Sequence, residues 1–250
     1  MDKIKSSVII GVAIIITAWI FGKSFRDRNE NLDSISVIGL GTKDFVSDEI
    51  LWSGQFSANS TDIKTAYNKI VSDQKTVTDF FLNKGFKANE FSFGAVNFQK
   101  KFREVRSEDS ENRTRYEQVF EGYEATQTIS FSAKKNPDLM KRIESVSSKT
   151  SELVNSGIEL SSNTMQYTYS DLPSLKQSLI EKATKDASER ANKIVKTADG
   201  RIGKLKNASM GVFQITGQGS TEEDSYGGIN DTYSKNKTAR ITVRLEYELE

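Results

Sequence analysis

The chain has 250 residues, of which 36% are hydrophobic and 28% are charged, and this composition predicts one large or two small globular units. Its 35 basic residues are nearly balanced by 34 acidic ones, so we expect no nucleic-acid partner. Histidine and cysteine are both absent, which excludes imidazole bases, thiolate nucleophiles, disulfides and nearly all zinc sites.

A continuous apolar run occupies residues 8–22, and lysines and arginines flank it on both sides. At about 1.5 Å per residue, a helix over residues 4–25 would measure roughly 33 Å, enough for a bilayer core of about 30 Å. We therefore predict one transmembrane helix within residues 1–28, which contacts the lipid bilayer through residues 4–25. The alternative is a cleaved signal peptide, although residues 22–24 match a cleavage site poorly.

The short N-terminal tail is easier to leave in the cytoplasm than the rest of the chain. We therefore expect a single-pass protein of the cell inner membrane, with its bulk in the extracytoplasmic or periplasmic space. Residues 29–34 are predicted to be a polar tether, and residues 35–250 to form the folded body.

Two strands are predicted first in the body, at residues 35–41 and 50–58. Ser60 or Thr61 is expected to cap the next helix. This helix should end at Gly85, since glycine accepts the positive φ that often follows a helix. Its buried face is predicted to contain Ile63, Ala66, Tyr67, Ile70, Val77 and Phe81.

The middle of the chain predicts a short strand at residues 91–98, a solvated connection at 103–115 and a long strand at 116–132. Asn136 is expected to cap a second helix, with Pro137 in its first position. The buried face of this helix, up to Gly157, is predicted to contain Leu139, Ile143, Val146 and Val154.

Asp171 is expected to cap the third predicted helix, which ends near Gly200. Closing strands are predicted at residues 205–218 and 240–250, with an exposed loop at 217–237 between them. The apolar stripe of the helix is predicted to be Leu172, Leu175, Leu179, Ala183, Ala187, Ala191, Ile194 and Ala198.

A faint internal repeat appears when the chain is shifted by 72 residues, which aligns Gly85 with Gly157 and Phe81 with Leu153. It favours two similar halves, at about 35–102 and 116–250, each a strand, helix and strand unit. Convergence of common local patterns is an equal alternative.

Several motifs resemble functional sites without matching them. Gly39-Leu40-Gly41 lacks the third glycine and the helix of a dinucleotide site, and residues 200–204 follow a helix where a phosphate loop precedes one. The spacing of four acidic residues fits no EF-hand loop, and five aromatic residues at strand spacing favour sheet packing over a ligand cage. The acidic residues are Glu222, Glu223, Asp224 and Asp231, and the aromatic ones are Phe91, Phe93, Phe98, Tyr167 and Tyr169.

Three stretches together resemble the SIMPL-domain family of bacterial envelope proteins: "SVIGLGTKDFVSDEILWSGQFSANS", "ATKDASERANKIVKTADGRIGKL" and "ARITVRLEYELE". The resemblance covers roughly residues 34–250. It implies an α+β fold, an extracytoplasmic location and, in one branch of immunogenic periplasmic proteins, large ring- or channel-like homo-oligomers. Some members carry names that refer to oxidative-stress defence. The apolar N-terminus and the long loop at 217–237 depart from the family pattern.

These observations predict an α+β body of repeated strand, helix and strand units, with antiparallel sheets packed by three helices. We expect a homo-oligomer that also binds an unknown envelope protein, possesses no cofactor and is not an enzyme. No catalytic, cofactor-binding or metal-binding residue is predicted. The alternatives are an envelope enzyme with a serine and lysine pair or a carboxylate site, and a ring- or pore-like scaffold.

Overall fold

Strands β1 (Ser34–Val46) and β2 (Glu49–Ser60) follow each other in the chain but lie in different sheets. Only Ser47 and Asp48 separate them. The computed structural model describes residues 2–29, 34–108, 114–220 and 227–250. Within these residues the fold is α+β, as predicted, and every strand pair inside the two sheets is antiparallel.

Four α-helices, one 3₁₀ helix and eight further strands make up the rest of the described fold. The α-helices are α1 (Asp2–Asn29), α2 (Ile63–Asn83), α3 (Pro137–Ser147) and α4 (Leu172–Thr197), and the 3₁₀ helix is Thr150–Ser156. The strands are β3 (Phe91–Phe93), β4 (Asn97–Glu108), β5 (Thr114–Lys134), β6 (Leu160–Ser162), β7 (Gln166–Thr168), β8 (Ile202–Met210), β9 (Gln214–Gly217) and β10 (Asn236–Leu249).

Sheet I contains β1, β10 and β8 in that order, and β9 also pairs with β10. Strand β1 pairs with β10 along its whole length, from Ser34 opposite Glu248 to Val46 opposite Asn236. Helix α4 covers one face of this sheet. The core between them contains Val37, Leu175, Leu179, Ala183, Ala187, Ala191, Ile215, Ala239, Ile241, Val243 and Leu245.

The alanines of α4 let the helix lie directly on the backbone of β1. A Cβ atom added to Gly39 would lie 2.1 Å from the carbonyl oxygen of Ala183 and 2.3 Å from the amide nitrogen of Ala187. Beside this contact, the amide of Leu40 donates a hydrogen bond of 2.8 Å to Asp186 Oδ2. That bond holds the pKa of the Asp186 carboxyl below its usual value, with a further contribution from Arg190.

Sheet II is built around β2 and β5, which pair with each other over 12 residue pairs. Strands β3 and β4 pair with the other edge of β5, and β6 and β7 pair with the other edge of β2. Helices α2 and α3 pack on this sheet. Trp52 and Phe81 pack on Phe131 with ring centroids 5.2 and 4.7 Å from it, and burial of each such ring contributes about 1.5 to 3 kcal/mol.

The helix starts follow from capping chemistry, with one correction. As predicted, Asn136 and Asp171 accept hydrogen bonds from the amides of Leu139 and Ser174. The cap of α2, however, is Asp62, whose carboxylate accepts from the Thr65 amide. Ser60 instead accepts a bond from the Asp62 amide, so the prediction of Ser60 or Thr61 as the cap was wrong by one or two residues.

Several predicted helix faces are wrong at their ends. Helix α3 stops at Ser147 and a 3₁₀ helix follows, so Val154 is 61% exposed. In α4, Ile194 is 53% exposed and Val195 takes its place in the core. In α2, two predicted core residues are exposed, Ile63 and Tyr67. Helix α3 gives way to the 3₁₀ helix where the apolar pattern continues, and Ile63 is the first residue of α2. In α4 the buried positions continue at steps of four, so Val195 follows Ala191 in the core.

Three predicted segment assignments also change. Residues 103–115 were predicted as a solvated connection, yet β4 continues to Glu108 and β5 begins at Thr114. The predicted strand 205–218 is two strands, β8 and β9. Sheet I takes β1 from the start of the body and β8 to β10 from its end, so the sheets do not follow the division at 35–102 and 116–250.

The predicted exposed loop at 217–237 is only partly a loop, because Lys237 belongs to β10 and is 2% exposed. Residues 221–226, with Glu222, Glu223 and Asp224, lie outside the described residues.

Among the described residues, no helix has both the length and the apolar character needed to cross a membrane. The predicted transmembrane helix is therefore not supported there.

Candidate interaction surfaces

Strands β4 and β5 extend beyond sheet II as a two-stranded arm, which we define as residues 102–108 and 114–120. Pairing between β2 and β5 ends at Ser60 opposite Tyr123. Pairing between β4 and β5 continues to Glu108 opposite Thr114. Within the described part of the chain, the arm strands therefore pair only with each other.

A bulge lies where the arm joins sheet II. The register between β4 and β5 shifts after Lys101, where β5 contains an additional residue. Next to the shift, Gly122 has a φ of 153°, and a Cβ atom there would lie 2.5 Å from the carbonyl oxygen of Ser60. Only glycine fits this close approach, and a β-bulge commonly bends a strand away from its sheet.

Aromatic side chains form a continuous surface from the body to the arm. The rings of Phe120 and Tyr123 are 5.3 Å apart, and those of Phe102 and Phe120 are 5.9 Å apart. Tyr123 packs against the core of sheet II, whereas Phe102 is 52% exposed and Tyr116, further along the arm, is 62% exposed. The arm thus carries large apolar rings into solvent, which is typical of an interaction surface.

The net charge on and beside the arm differs between its two strands. Basic residues outnumber acidic ones on β4, which also carries Glu104 and Glu108, whereas between Thr114 and Glu124 of β5 glutamates outnumber the single arginine, Arg115. The exposed basic residues of β4 are Lys100, Lys101, Arg103 and Arg106, and the exposed acidic residues of β5 in this region are Glu117 and Glu121. Among the described residues, neither Lys101 nor Arg103 is within ion-pair distance of Glu117 or Glu121.

Helix α1 carries a second exposed apolar surface. Its large hydrophobic side chains extend into solvent over several helical turns, and Trp19 at 68% is representative. The exposed set is Val12, Ile14, Ile15, Ile16, Trp19, Ile20, Phe21 and Phe25. Within residues 11–25, the part of α1 whose side chains the structure describes, no residue belongs to either core cluster.

A cluster of charged residues lies where β9 meets β10. The amine of buried Lys237 donates a hydrogen bond to the carbonyl oxygen of Asp231. The Asp231 carboxylate accepts hydrogen bonds from the amides of Tyr233 and Ser234. Burial opposes its ionisation, but hydrogen bonds from the Ser234 side chain and from these two amides hold its pKa below the usual value. Burial lowers the pKa of Lys237. These contacts fix the chain that leads into β10, so we interpret the cluster as structural.

A second polar cluster connects the two sheets. Glu144 on α3 accepts hydrogen bonds from Lys235 Nζ at 2.7 Å and from the Tyr167 hydroxyl at 3.1 Å. Burial and the Glu144 carboxylate raise the pKa of Tyr167 to about 12. Nearby, the Ser170 hydroxyl donates to Asp48, in the link between β1 and β2.

The motifs considered from the sequence lie apart from one another in the fold. Gly39 and Gly41 pack beneath α4, and Gly200 follows the end of that helix. Phe91 and Phe93 pack against the core of sheet II, whereas Phe98 is 42% exposed at the base of the arm. In the part of the chain that the structure describes, no group of three or more histidine, cysteine, aspartate or glutamate residues is placed to hold a metal ion.

Sequence reasoning missed the arm and its aromatic residues. Residues 103–115 are so polar that they were interpreted as a connection. One usable signal was present in the spacing of the aromatic residues. Phe102 lies four positions after Phe98 in β4, and Phe120 lies four positions after Tyr116 in β5. Such an even spacing places both members of each pair on one face of a strand.

A comparison with known families finds one match. The model of the SIMPL family, described as a protein of unknown function, matches residues 35–247. This range includes both sheets, apart from the terminal residues of β1 and β10. No curated protein matches the chain.

Proposed function

Because the chain belongs to the SIMPL family, whose function is unknown, we propose that it is an extracytoplasmic envelope protein attached to a lipid bilayer through residues 4–25. We further propose that it acts by self-association and by binding a partner protein, without catalysing a reaction. The observation that carries this proposal is the presence of two exposed apolar surfaces, on α1 and on the arm.

The α1 surface supports lipid attachment. Its side chains are too apolar to favour contact with water, and each fully buried leucine- or phenylalanine-sized side chain contributes about 1.5 to 3 kcal/mol. Lys23 lies next to Trp19, with its amine 5.7 Å from the ring centroid, and tryptophan and lysine both suit the boundary between lipid and water.

The absence of cysteine provides a clean test of attachment and location. Lys149→Cys places a single thiol on the exposed surface of the body. The variant is expressed in a bacterium with two membranes, and only the outer membrane is made permeable. A maleimide that cannot cross the inner membrane should then label this variant. The protein should also remain in the membrane fraction after alkaline carbonate washing. The cysteine-free chain is the matched control. Release by carbonate would overturn attachment, and labelling only after cell lysis would overturn the extracytoplasmic location.

The arm supports self-association, because aromatic residues in solvent favour burial against another surface. Light scattering on the full chain in a mild detergent should give a protein mass above that of one 28.0 kDa chain, increasing with concentration. A protein mass of one chain over the whole measurable range would overturn self-association. Partner binding would be tested separately by cross-linking in the native membrane.

The composition supports a role without catalysis. A serine and lysine pair is one nucleophilic device available without histidine or cysteine. Among the lysines that the structure describes, the most buried, Lys237, donates to a backbone carbonyl. Stoichiometric labelling of one defined serine by a fluorophosphonate would overturn this part of the proposal.

A further inference from the structure

The arm presents two unpaired strand edges, and this is the starting point for a more specific inference. Strand β5 pairs with β2 only from Tyr123 onwards, so on that edge its residues 114–122 have no partner among the described residues. On the opposite edge of the arm, β4 has no such partner from Asn97 to Glu108. Backbone amides and carbonyls on such edges are ready to pair with another strand. A two-stranded ribbon alone is at most marginally stable in water.

Bulges, lysines or a covering element usually protect an exposed edge from pairing. The β1 edge of sheet I has such a feature, since Asp186 accepts the hydrogen bond from the Leu40 amide. The arm has its bulge at Gly122, where it joins the body, but the described residues beyond the bulge contain no irregularity. Charged side chains, Lys101 and Arg103 among them, lie along β4, but beyond Gly122 no register shift interrupts the arm and no described strand pairs with either edge.

We infer that self-association occurs through these edges, with β4 of one copy pairing to β5 of a second copy. This inference rests on the proposed self-association and names its contact surface. When the arms of the two copies point in the same direction, this pairing is antiparallel, because β4 and β5 run in opposite directions within each arm. Each copy has one edge of each kind, so every copy has two neighbours and the assembly extends beyond a dimer.

The separation of charge selects this arrangement over a symmetric one. Two β4 edges in contact would bring Lys101 and Arg103 beside the same residues of the other copy, and two β5 edges would do the same with Glu117 and Glu121. Like charges on adjacent strands destabilise pairing, whereas opposite charges favour it. Only the contact between β4 and β5 places the basic strand beside the acidic one.

The aromatic residues add an apolar component to the same contact. Phe102 and Phe120 lie on one face of the arm, on the same side as Tyr123. When arms pair edge to edge, these faces become neighbours in one continuous sheet, and Phe102 of one copy lies beside the β5 face of the next. Exposed rings are thereby partly buried, which suits a contact made by aromatic and arginine side chains.

Cross-linking of single cysteines distinguishes this geometry from the symmetric ones. We would prepare two full-length variants, Arg103→Cys on β4 and Val119→Cys on β5; the wild-type chain has no other cysteine. In mild detergent with a gentle oxidant, an equimolar mixture should give mostly disulfides between unlike variants, at least fivefold above either variant alone. Lys43→Cys on β1, away from the arm, is the matched control and should remain uncross-linked.

Charge reversal provides an independent test. Lys101→Glu with Arg103→Glu makes both edges acidic, and Glu117→Lys with Glu121→Lys makes both basic. Each double variant alone should self-associate at least tenfold more weakly than wild type, and an equimolar mixture should recover association. All four side chains are exposed, so circular dichroism and thermal unfolding of both variants should match those of the wild type.

The possible outcomes test the arm contact separately from self-association. If the wild-type chain is monomeric, self-association and the arm contact fail together. If the wild type associates but both charge variants associate equally well, or like cysteines cross-link as readily as unlike ones, the arm contact is wrong while self-association stands. A preference for unlike cysteines together with recovery in the mixture supports it.

Discussion

At the scale of single residues, Lys237 shows how a charged side chain is tolerated inside the fold. Its side chain is 2% exposed, and its amine donates a hydrogen bond to the Asp231 carbonyl oxygen. A buried charge without such a partner costs several kcal/mol, so the amine and the chain around Asp231 depend on each other.

Lys237→Met should therefore lower the free energy of unfolding by about 1 to 3 kcal/mol, because the Asp231 carbonyl loses its buried donor. Urea unfolding followed by circular dichroism measures the change. Lys43→Met, on the exposed part of β1, should change stability by no more than about 0.5 kcal/mol. Equal stability of the two variants would show that the Lys237 contact is not stabilising.

At the scale of secondary-structure elements, the contact between α4 and β1 depends on residues without bulk. Gly39→Ala would force its new methyl group into the α4 backbone, since the carbonyl oxygen of Ala183 lies 2.1 Å from the Cβ position. We expect a loss of about 1 to 3 kcal/mol, or more if the helix is displaced. The matched control is Gly94→Ala, whose Cβ would lie 3.7 Å from the nearest atom, the carbonyl oxygen of Thr128. A neutral Gly39→Ala in chemical denaturation would contradict this packing.

The arm is an element that the body does not need for its own stability. Phe102 and Phe120 are directly opposite each other, so an Asn-Gly turn can replace residues 103–119. No described residue of that segment belongs to either core. The shortened chain should keep its urea midpoint within about 0.5 kcal/mol of wild type and should lose self-association. A large loss of stability would mean that the arm also supports the body.

A structural feature could be predicted from the sequence where the residues that determine it are close together in the chain. The caps Asn136 and Asp171 were predicted correctly, because a cap is determined by a few neighbouring residues. Strand membership was not predictable, since β1 and β2 are adjacent in sequence and yet belong to different sheets. The arm was missed because both of its faces are in solvent, so the alternation that identifies a half-buried strand is weak.

At the scale of the whole molecule, the cluster of Glu144, Lys235 and Tyr167 links the two sheets. The pKa of Tyr167 is raised from 10.0 to about 12 by burial and by Glu144. The unfolded chain therefore loses the phenol proton at lower pH than the folded chain does. Stability from this group is complete below pH 10 and is lost as the pH rises towards about 12.

Tyr167→Phe should accordingly flatten the alkaline fall in unfolding free energy between about pH 10 and pH 11. Urea titrations at several pH values in this interval measure the slope. Tyr233→Phe removes a hydroxyl from an exposed ring and should retain the wild-type slope. If the Tyr167→Phe slope is as steep as that of wild type, then Tyr167 does not contribute to the alkaline loss.

The pairing of β1 with β10 has a mechanical consequence. Since Ser34 lies opposite Glu248, tension between residues 34 and 250 would act across one end of the ladder, along the direction of its hydrogen bonds. Those bonds would break one after another rather than together, so the two strands should separate at low force. A load that runs from α1 to a partner held near residue 250 would first separate β1 from β10, and it would reach sheet II only after these two strands had come apart.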